Sequence, residues 1–343
     1  MFGYVMSDYD KKVYAEQLAD FLPDKMIDAH AHIWLKEFDP ITAEEQKACV
    51  SWTRMVAEDC SIEDLMQTYT DMFPGKKMVP VLMGWPMTSL PLTNDYTREA
   101  AKKVNVPAFY CTDYSMTAEH LEKEVIGGGF CGLKPYQNNC APYIPEKEIR
   151  IYDFLTPEHL EVANKHGWIV MLHISRSLRL RDPLNLAQLM EIEEKYPNLK
   201  LIVAHVGRAY SKEDLGDAFE TLKHTKNMMF DFTANTLDLA MIECIKAVGT
   251  KRIMFGSDLP IVKMRMFRTT ENGGFYINNV PRGLYGDVSS DPHMRETDRE
   301  DITNFLYEEL LAFKRCAAEL SLSREDVEDI LCNNAAKLFG MNI

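Results

Sequence analysis

Residues 27–34 read Ile-Asp-Ala-His-Ala-His-Ile-Trp, and this stretch predicts both a buried strand and a reactive site. Side chains alternate between the two faces of a strand, so His30 and His32 are expected to project to the same side, together with Asp28. Two imidazoles on one face form a candidate pair of metal ligands. Two strand histidines that are satisfied by hydrogen bonds remain the open alternative, because a His-x-His pattern also arises by chance.

The rest of the chain alternates between predicted strands and predicted helices. The apolar runs at residues 169–172 and 201–204 are typical of parallel strands that helices cover on both faces. Eight strands are predicted, beginning near Met26, Lys77, Val106, Phe130, Trp168, Leu199, Met228 and Arg252. Eight β/α units in 343 residues predict an α/β fold of the (β/α)8 TIM-barrel type. An open, doubly wound sheet is the alternative.

Capping residues and turn residues predict the boundaries between elements. Capping boxes at residues 61–64 and 211–214 and a Thr-Pro pair at residues 156–157 mark helix starts. Helices are also predicted over residues 97–104, 211–224 and 323–339. Residues 1–24 are expected to form an N-terminal arm with one short helix. Residues 25–343 are expected to form one barrel domain, with a long irregular insert after strand eight over residues 259–299.

Composition excludes several classes of partner. The formal net charge of −14 argues against nucleic acid or an anionic membrane as a partner. The eight cysteines, Cys49 among them, are dispersed without a C-x-x-C pair and are expected to be reduced core residues. Residues 1–20 lack the apolar core of a signal peptide, and no apolar run approaches the length of a membrane span. We therefore expect a cytoplasmic protein.

The chemistry-bearing residues gather at predicted strand ends. In a (β/α)8 barrel the active site forms at the carboxyl ends of the strands. His30 and His32 end strand one, His173 ends strand five, His205 ends strand six and Asp258 ends strand eight. Neutral imidazoles with one carboxylate are typical zinc ligands that leave a position open for water. A carboxylate beside that water is well placed to accept its proton.

This ordered set of residues resembles the amidohydrolase superfamily. Four phrases resemble its amidohydrolase 2 branch: Ile27-Asp-Ala-His-Ala-His-Ile33, Ala204-His-Val-Gly207, Gly256-Ser-Asp-Leu-Pro260 and Asn334-Ala-Ala-Lys-Leu-Phe-Gly340. The resemblance extends over residues 26–340. That branch includes hydrolases, lactonases, hydratases and non-oxidative decarboxylases similar to aminocarboxymuconate semialdehyde decarboxylase.

The resemblance implies roles for the strand-end residues. His30, His32 and His173 would be the nitrogen ligands of the metal. Asp258 would be the fourth ligand and the proton acceptor in catalysis. His205 would be either a ligand of a second metal or an unligated catalytic group that polarises the substrate.

Lys134 lies at the end of strand four, where some members of the superfamily carry a carbamylated lysine that bridges two metal ions. The alternative is a lysine that pairs with a carboxylate of the substrate or of the barrel. The resemblance favours one zinc ion, and two if Lys134 is carbamylated.

Other residues near the strand ends are candidates for substrate binding. Arg176 and Arg208 each follow a strand-end histidine by three residues, and a guanidinium suits a carboxylate. An ion pair with a loop acid is the alternative for both. Arg179, Arg265 and Arg268 are further arginine candidates for an anionic substrate. Trp34, Tyr136 and Lys134 are further candidates for the substrate-binding wall.

The resulting prediction is a metal-dependent hydrolase in which a metal-activated water attacks an amide, ester or lactone bond. The substrate is expected to be a small molecule that bears a carboxylate. The alternative is a lyase, a non-oxidative decarboxylase or a hydratase, that acts on an unsaturated or aromatic acid. A barrel that keeps its metal without catalysis is a third possibility. The resemblance also implies a homodimer, and the glycine-rich insert suits either a lid or an oligomer contact.

Overall fold

Eight parallel strands form the centre of the fold in the computed structural model, which describes residues 5–38 and 52–342 and so leaves Cys49 outside the described part. The strands are β1 (Lys25–Ile33), β2 (Lys77–Gly84), β3 (Phe109–Thr112), β4 (Gly132–Pro135), β5 (Ile169–Leu172), β6 (Lys200–Val203), β7 (Met229–Asp231) and β8 (Ile253–Met254). All eight predicted strands are present. The chain is an α/β protein with the (β/α)8 barrel fold, as predicted.

Backbone hydrogen bonds join the strands around the ring. β1 pairs with β2, and β3 to β8 pair in sequence order. The amide of Leu82 on β2 donates to the carbonyl of Pro107, just before β3, at 3.0 Å. The amide of Ala29 on β1 donates to the carbonyl of Phe255, just after β8, at 3.1 Å. These two bonds connect the two-stranded and six-stranded parts on both sides.

Helices cover the outside of the strands. Capping at Ser61, Thr156 and Ser211 confirms three predicted helix starts. The helices are Asp8–Val13, Thr53–Val56, Ile62–Met72, Leu90–Val104, Ala118–Gly128, Pro157–His166, Pro183–Lys195, Lys212–Leu215, Ala218–Leu222, Asp238–Val248, Phe305–Glu319, Arg324–Glu328 and Asn334–Phe339, with π-helical turns at Tyr14–Leu18 and Asp329–Asn333. His205–Arg208, directly after β6, forms a left-handed turn.

Two predicted helix ranges were wrong in their extent, and a third has the predicted extent but an unexpected turn within it. The helix predicted from residue 97 begins at Leu90, because Pro91 occupies its first turn and does not break it. The helix predicted over residues 211–224 is interrupted at Gly216, whose φ of 50° lies outside the helical range. The helix predicted over residues 323–339 contains a π-helical turn at Asp329–Asn333.

The insert after β8 is not irregular throughout, so that prediction was wrong. It contains the strands β9 (Phe267–Glu271), β10 (Phe275–Pro281) and β11 (Met294–Thr297), in the spatial order β11-β10-β9. β9 and β10 form an antiparallel hairpin around Gly273 and Gly274, which both have positive φ. The Asn-Gly-Gly cluster is a hairpin signal between two extended runs, not a mark of disorder.

The barrel interior is filled by its own small cluster of apolar side chains. Ile27 and Ala29 of β1 pack there against inward residues of the other strands. Cys332 and Ala335, from the C-terminal segment, belong to the same cluster and close the end of the barrel opposite the functional strand ends. A larger cluster lies between the strands and the helices. Nowhere in residues 5–38 and 52–342 is there a helix long and apolar enough to cross a membrane.

Candidate metal centre

β1 brings His30 and His32 to the end of the barrel, but not in the simple alternation that the sequence predicts. The pairing of β1 with β2 shifts register between Asp28 and Ala31. The Asp28 carboxylate therefore does not join the histidines. It accepts hydrogen bonds from the hydroxyl of Tyr69, at 2.6 Å, and from the backbone amide of Ser257, at 2.8 Å. The prediction that Asp28 shares the face of His30 and His32 was wrong, and its role is to tie β1 to the segment after β8.

The Nδ1 atoms of three imidazoles are held by the surrounding barrel. His32 Nδ1 lies 2.9 Å from the carbonyl oxygen of Gly84, and His205 Nδ1 lies 2.9 Å from that of Thr233. A carbonyl only accepts, so both Nδ1 atoms carry the proton and both Nε2 lone pairs stay free. His30 Nδ1 lies 3.0 Å from the Asp231 carboxylate, which fixes its ring in the same way.

Asp258 lies against these imidazoles. Its Oδ1 atom is 3.3 Å from His32 Nε2 and 3.6 Å from His30 Nε2. The tightest group of potential ligand atoms comprises His30, His205 and Asp258, all within 4.8 Å of one another. Both alternatives for His205, ligand or unligated group, therefore stay open.

The protonation states suit a metal centre. Burial lowers the pKa of His30 and His173 well below the usual value, and it also lowers that of His205. Burial alone would raise the pKa of Asp258, but the neighbouring imidazoles of His32, His205 and His30 lower it overall. Neutral imidazoles around an ionised carboxylate are the forms that bind a divalent metal.

His173 offers the clearest sign of a missing partner. Its ring packs at a tilt 4.8 Å from the Tyr136 ring and edge-on 5.2 Å from the His205 ring, measured between centroids. Its Nδ1 atom is buried and has no hydrogen-bond partner among the described residues. A buried nitrogen without a partner costs free energy unless something binds it. A metal ion held with His30, His32 and Asp258 fits this donor set.

Lys134 enters the centre from β4. It is 1% exposed, and its Nζ atom lies 3.0 Å from His30 Nε2. Burial lowers its pKa to about 8. A metal ion held by His30 would use the same Nε2 lone pair, so Lys134 would then lose this hydrogen bond. Carbamylation remains a prediction.

The backbone at these strand ends is unusual for non-glycine residues. His205, Val206 and Arg208 have φ values of 60°, 48° and 60°, and Asp258 has a φ of 59°. Such left-handed conformations are costly, particularly for a β-branched valine. The tight turn after β6 directs the His205 and Arg208 side chains toward the centre. The strained backbone of this turn therefore positions two residues of the site.

The predicted substrate-binding residues divide into two groups. Arg208, Tyr136 and Lys134 line the cavity above the histidines. Arg176 does not reach it and forms an ion pair with Asp182 at 2.9 Å, the alternative left open from the sequence. Trp34 lies behind the cavity wall, 1% exposed, with its ring 4.7 Å from that of Trp85, which does line the cavity.

The structure also places residues at the site that the sequence prediction did not include. Asp231 ends β7 and holds both His30 and the backbone amide of His205, at 2.7 Å. The sequence feature that could have identified Asp231 is an acidic residue inside the otherwise apolar run from Met228 to Phe232. Tyr276, from the insert, lines the same cavity, and nothing local in the sequence marks it, because the fold of the insert positions it. Arg268, also from the insert, lines the cavity too and was a further arginine candidate for an anionic substrate.

Comparisons with known proteins agree with this architecture. The family model described as amidohydrolase matches residues 27–341. No curated protein matches the chain in sequence. The chain belongs to the amidohydrolase family, and it is an enzyme.

Three similar solved structures illustrate the fold. A probable 2-pyrone-4,6-dicarboxylic acid hydrolase from Acinetobacter baumannii, with citric acid bound, is 15% identical with a TM-score of 0.57, over 92% of this chain and 99% of that one. A Burkholderia multivorans amidohydrolase with bound zinc is 12% identical, with a TM-score of 0.59 over 92% and 99%. A dihydroxybenzoic acid decarboxylase from a Polaromonas species, with manganese and 2-nitroresorcinol, is 16% identical, with a TM-score of 0.53 over 93% and 97%.

Proposed function

We propose that the chain is a metal-dependent hydrolase that cleaves an amide, ester or lactone bond of a small, carboxylate-bearing molecule. The observation that carries this proposal is the cluster at the strand ends, where His30, His32 and His205 surround Asp258 beneath an open cavity that His173 also lines. His30, His32, His173 and Asp258 would hold one zinc ion. Zinc in such a site polarises a carbonyl group and lowers the pKa of water.

The protein residues would then move the proton. Asp258 is ionised and contacts both His30 and His32, so it is placed to accept a proton from water and return it to the leaving group. His205 keeps its proton on Nδ1, at the Thr233 carbonyl, and turns a lone pair toward the centre. It therefore serves as a ligand or as a proton acceptor, and it cannot donate a hydrogen bond from Nε2 without first being protonated.

The second candidate is a decarboxylase or hydratase acting on an unsaturated or aromatic acid. Arg208 supports it, because this guanidinium faces the cavity without an acidic partner among the described residues and suits an acid substrate. In this reaction Asp258 or His205 would first take up a proton from water and then deliver it to carbon. Carbon dioxide release, measured beside hydrolysis on one panel of acids and lactones, separates the two reactions.

Metal content tests the shared basis of both candidates. We would purify the protein without added metal and compare wild type with His173→Ala and His159→Ala by elemental analysis. His159 is the matched control: it is fully buried, its Nδ1 atom also lacks a partner, and its Nε2 contacts the carbonyl of Met116 outside the site.

We expect about one zinc per chain in wild type and in His159→Ala, and loss of the metal in His173→Ala. Two metal ions per chain would instead support a carbamylated Lys134. No metal even after reconstitution, or equal metal in both variants, would contradict the proposal.

We also propose a cytoplasmic location. The support is that the cysteines in the described part of the chain are all free, and most are buried.

A further inference from the structure

One side of the cavity is formed by two arginines and two tyrosines, which we name the arginine wall: Arg208, Tyr210, Arg268 and Tyr276. The first two follow β6, whereas Arg268 lies on β9 and Tyr276 on β10 of the insert. The guanidinium carbon of Arg268 is 4.9 Å from the ring centroid of Tyr210 and 4.6 Å from that of Tyr276. The barrel and the insert therefore build this wall together.

Neither guanidinium of the arginine wall is balanced by an acid within the described residues. Arg208 Nη1 donates to the carbonyl of Ile174 at 3.3 Å. Arg268 Nε donates to Asn278 Oδ1 at 2.9 Å, and its Nη1 donates to the carbonyl of Ala234 at 3.2 Å. In that part of the chain the Nη2 group of each arginine has no hydrogen-bond partner. Cations held in a cavity without counter-charge are costly unless a ligand supplies the charge.

The neighbouring arginines are different, because acids of the protein satisfy them. Arg176 pairs with Asp182 at 2.9 Å, and Arg179 pairs with Asp214 at 2.6 Å. Arg179 stacks on the same two tyrosine rings as Arg268, at 5.3 and 5.0 Å, but it does not line the cavity. Its ion pair marks it as structural, whereas the two wall arginines keep donors for a ligand.

The nearest candidate for an internal counter-charge does not supply one. Glu309, on the helix Phe305–Glu319, lies within electrostatic range of Arg268. It is fully buried, and its carboxyl group faces the backbone amide of Ala234 and no side-chain donor among the residues that the structure describes. No ion pair joins Glu309 to Arg268 among the described residues, and burial raises the pKa of Glu309 well above the usual value, which favours its neutral form.

We propose that Arg208 and Arg268 each bind one carboxylate group, and that the substrate is a small dicarboxylic acid. This inference rests on the proposed function, because it names the substrate class of the same site. A planar guanidinium binds a carboxylate through two parallel hydrogen bonds, and the tyrosine hydroxyls add donors beside it. The apolar body of the acid would lie against Trp85, which follows β2 on the opposite side of the barrel from β6.

Calorimetry on the metal-loaded protein tests this proposal with two matched pairs of probes. The pairs are benzene-1,3-dicarboxylate with benzoate, and glutarate with butyrate. We expect wild type to bind at least one diacid about 10-fold or more tightly than its monoacid partner. Arg208→Met and Arg268→Met should each abolish that preference, and Arg268→Lys should restore part of it. Arg179→Met is the matched control and should keep the preference.

Equal binding of diacids and monoacids by wild type in both pairs, or a preference that survives Arg268→Met, would overturn the proposal. Thermal unfolding of each variant verifies that it is folded, and Arg268→Lys covers the case in which the methionine variant is not. Elemental analysis of the same samples separates the two levels of inference. A protein without metal contradicts the proposed function, whereas full metal content without a diacid preference contradicts only the dicarboxylate assignment.

Discussion

At the scale of single residues, the sequence identified side chains that the structure brings together at the candidate metal centre, but not the groups that orient them. Histidines stand out because they are few and occur at strand ends, so His30, His32 and His173 could be selected from the sequence. Asp231 could not be assigned its role, because its contacts with His30 and His205 come from strands about 200 and 26 residues away in the chain. Local patterns carry no information about such distant contacts.

Asp231 yields the first residue-scale prediction. Asp231→Asn should weaken zinc binding by about 10- to 100-fold, because second-layer partners of metal-binding histidines have effects of this size. One carboxylate oxygen faces His30 Nδ1, and the other accepts backbone N–H groups of His205, at 2.7 Å, and Thr233, at 3.2 Å. An amide must turn its NH2 group toward one of these donors. Competition with a chromogenic chelator measures the affinity.

The matched control for this substitution is Asp238→Asn. Asp238 pairs with Arg315 at 2.9 Å on the surface, away from the centre. Its amide variant should bind zinc as wild type does. Unchanged zinc affinity in Asp231→Asn would contradict the orienting role of Asp231.

At the scale of elements, helix starts and barrel strands were predictable because their signals are local. Caps at Ser61 and Thr156 act within one turn, and buried strands are short apolar runs. The register shift in β1 and the strands of the insert were not predictable in the same way. A register shift depends on the neighbouring strand, and the exposed, polar character of β9 conceals its strand nature.

The hairpin of the insert gives the element-scale prediction. Gly274 has a φ of 84°, and a Cβ atom there would lie 2.7 Å from Glu213 Cβ and 2.8 Å from Ser211 Oγ. Gly274→Ala should therefore push the β9–β10 hairpin away from the helix Lys212–Leu215 and displace Arg268. We expect weaker binding of benzene-1,3-dicarboxylate as well as lower stability, measured by calorimetry and urea unfolding.

Gly273→Ala isolates that contact from backbone strain. Gly273 has nearly the same φ, 85°, but nothing lies within 4 Å of its added Cβ. Both substitutions incur the left-handed conformational cost of roughly 1–2 kcal/mol. Only Gly274→Ala should also impair diacid binding. Equal binding by the two variants would show that the hairpin does not position the arginine wall.

At the scale of the whole molecule, the barrel could be predicted because eight strand–helix units leave few compact arrangements. The position of the N-terminal arm could not be predicted. Asp10, on the helix Asp8–Val13, is fully buried and forms an ion pair with Arg265 of the insert. It also accepts a hydrogen bond from the Thr303 hydroxyl at 2.9 Å. Through Asp10, the N-terminal arm therefore contacts both the insert, at Arg265, and the segment that precedes the helix Phe305–Glu319, at Thr303.

These contacts of Asp10 predict that part of the free energy of unfolding is lost as the pH falls. Asp10→Asn should lower the free energy of unfolding by about 3 kcal/mol at neutral pH, because it leaves the partly buried Arg265 without its buried acid. Burial alone would raise the pKa of Asp10, but its hydrogen bonds with Ser7 and Arg265 lower it overall, below the ordinary value of 3.8. The stabilisation is therefore complete above that value and is lost as pH falls through the lowered pKa. Wild type and variant should differ in urea unfolding at pH 7, and the difference should shrink in acid.

The matched control is Asp8→Asn, on the same helix. Asp8 is fully exposed in its ion pair with Lys11, so this variant should unfold as wild type does. If Asp10→Asn unfolded as Asp8→Asn does, the arm would not stabilise the insert.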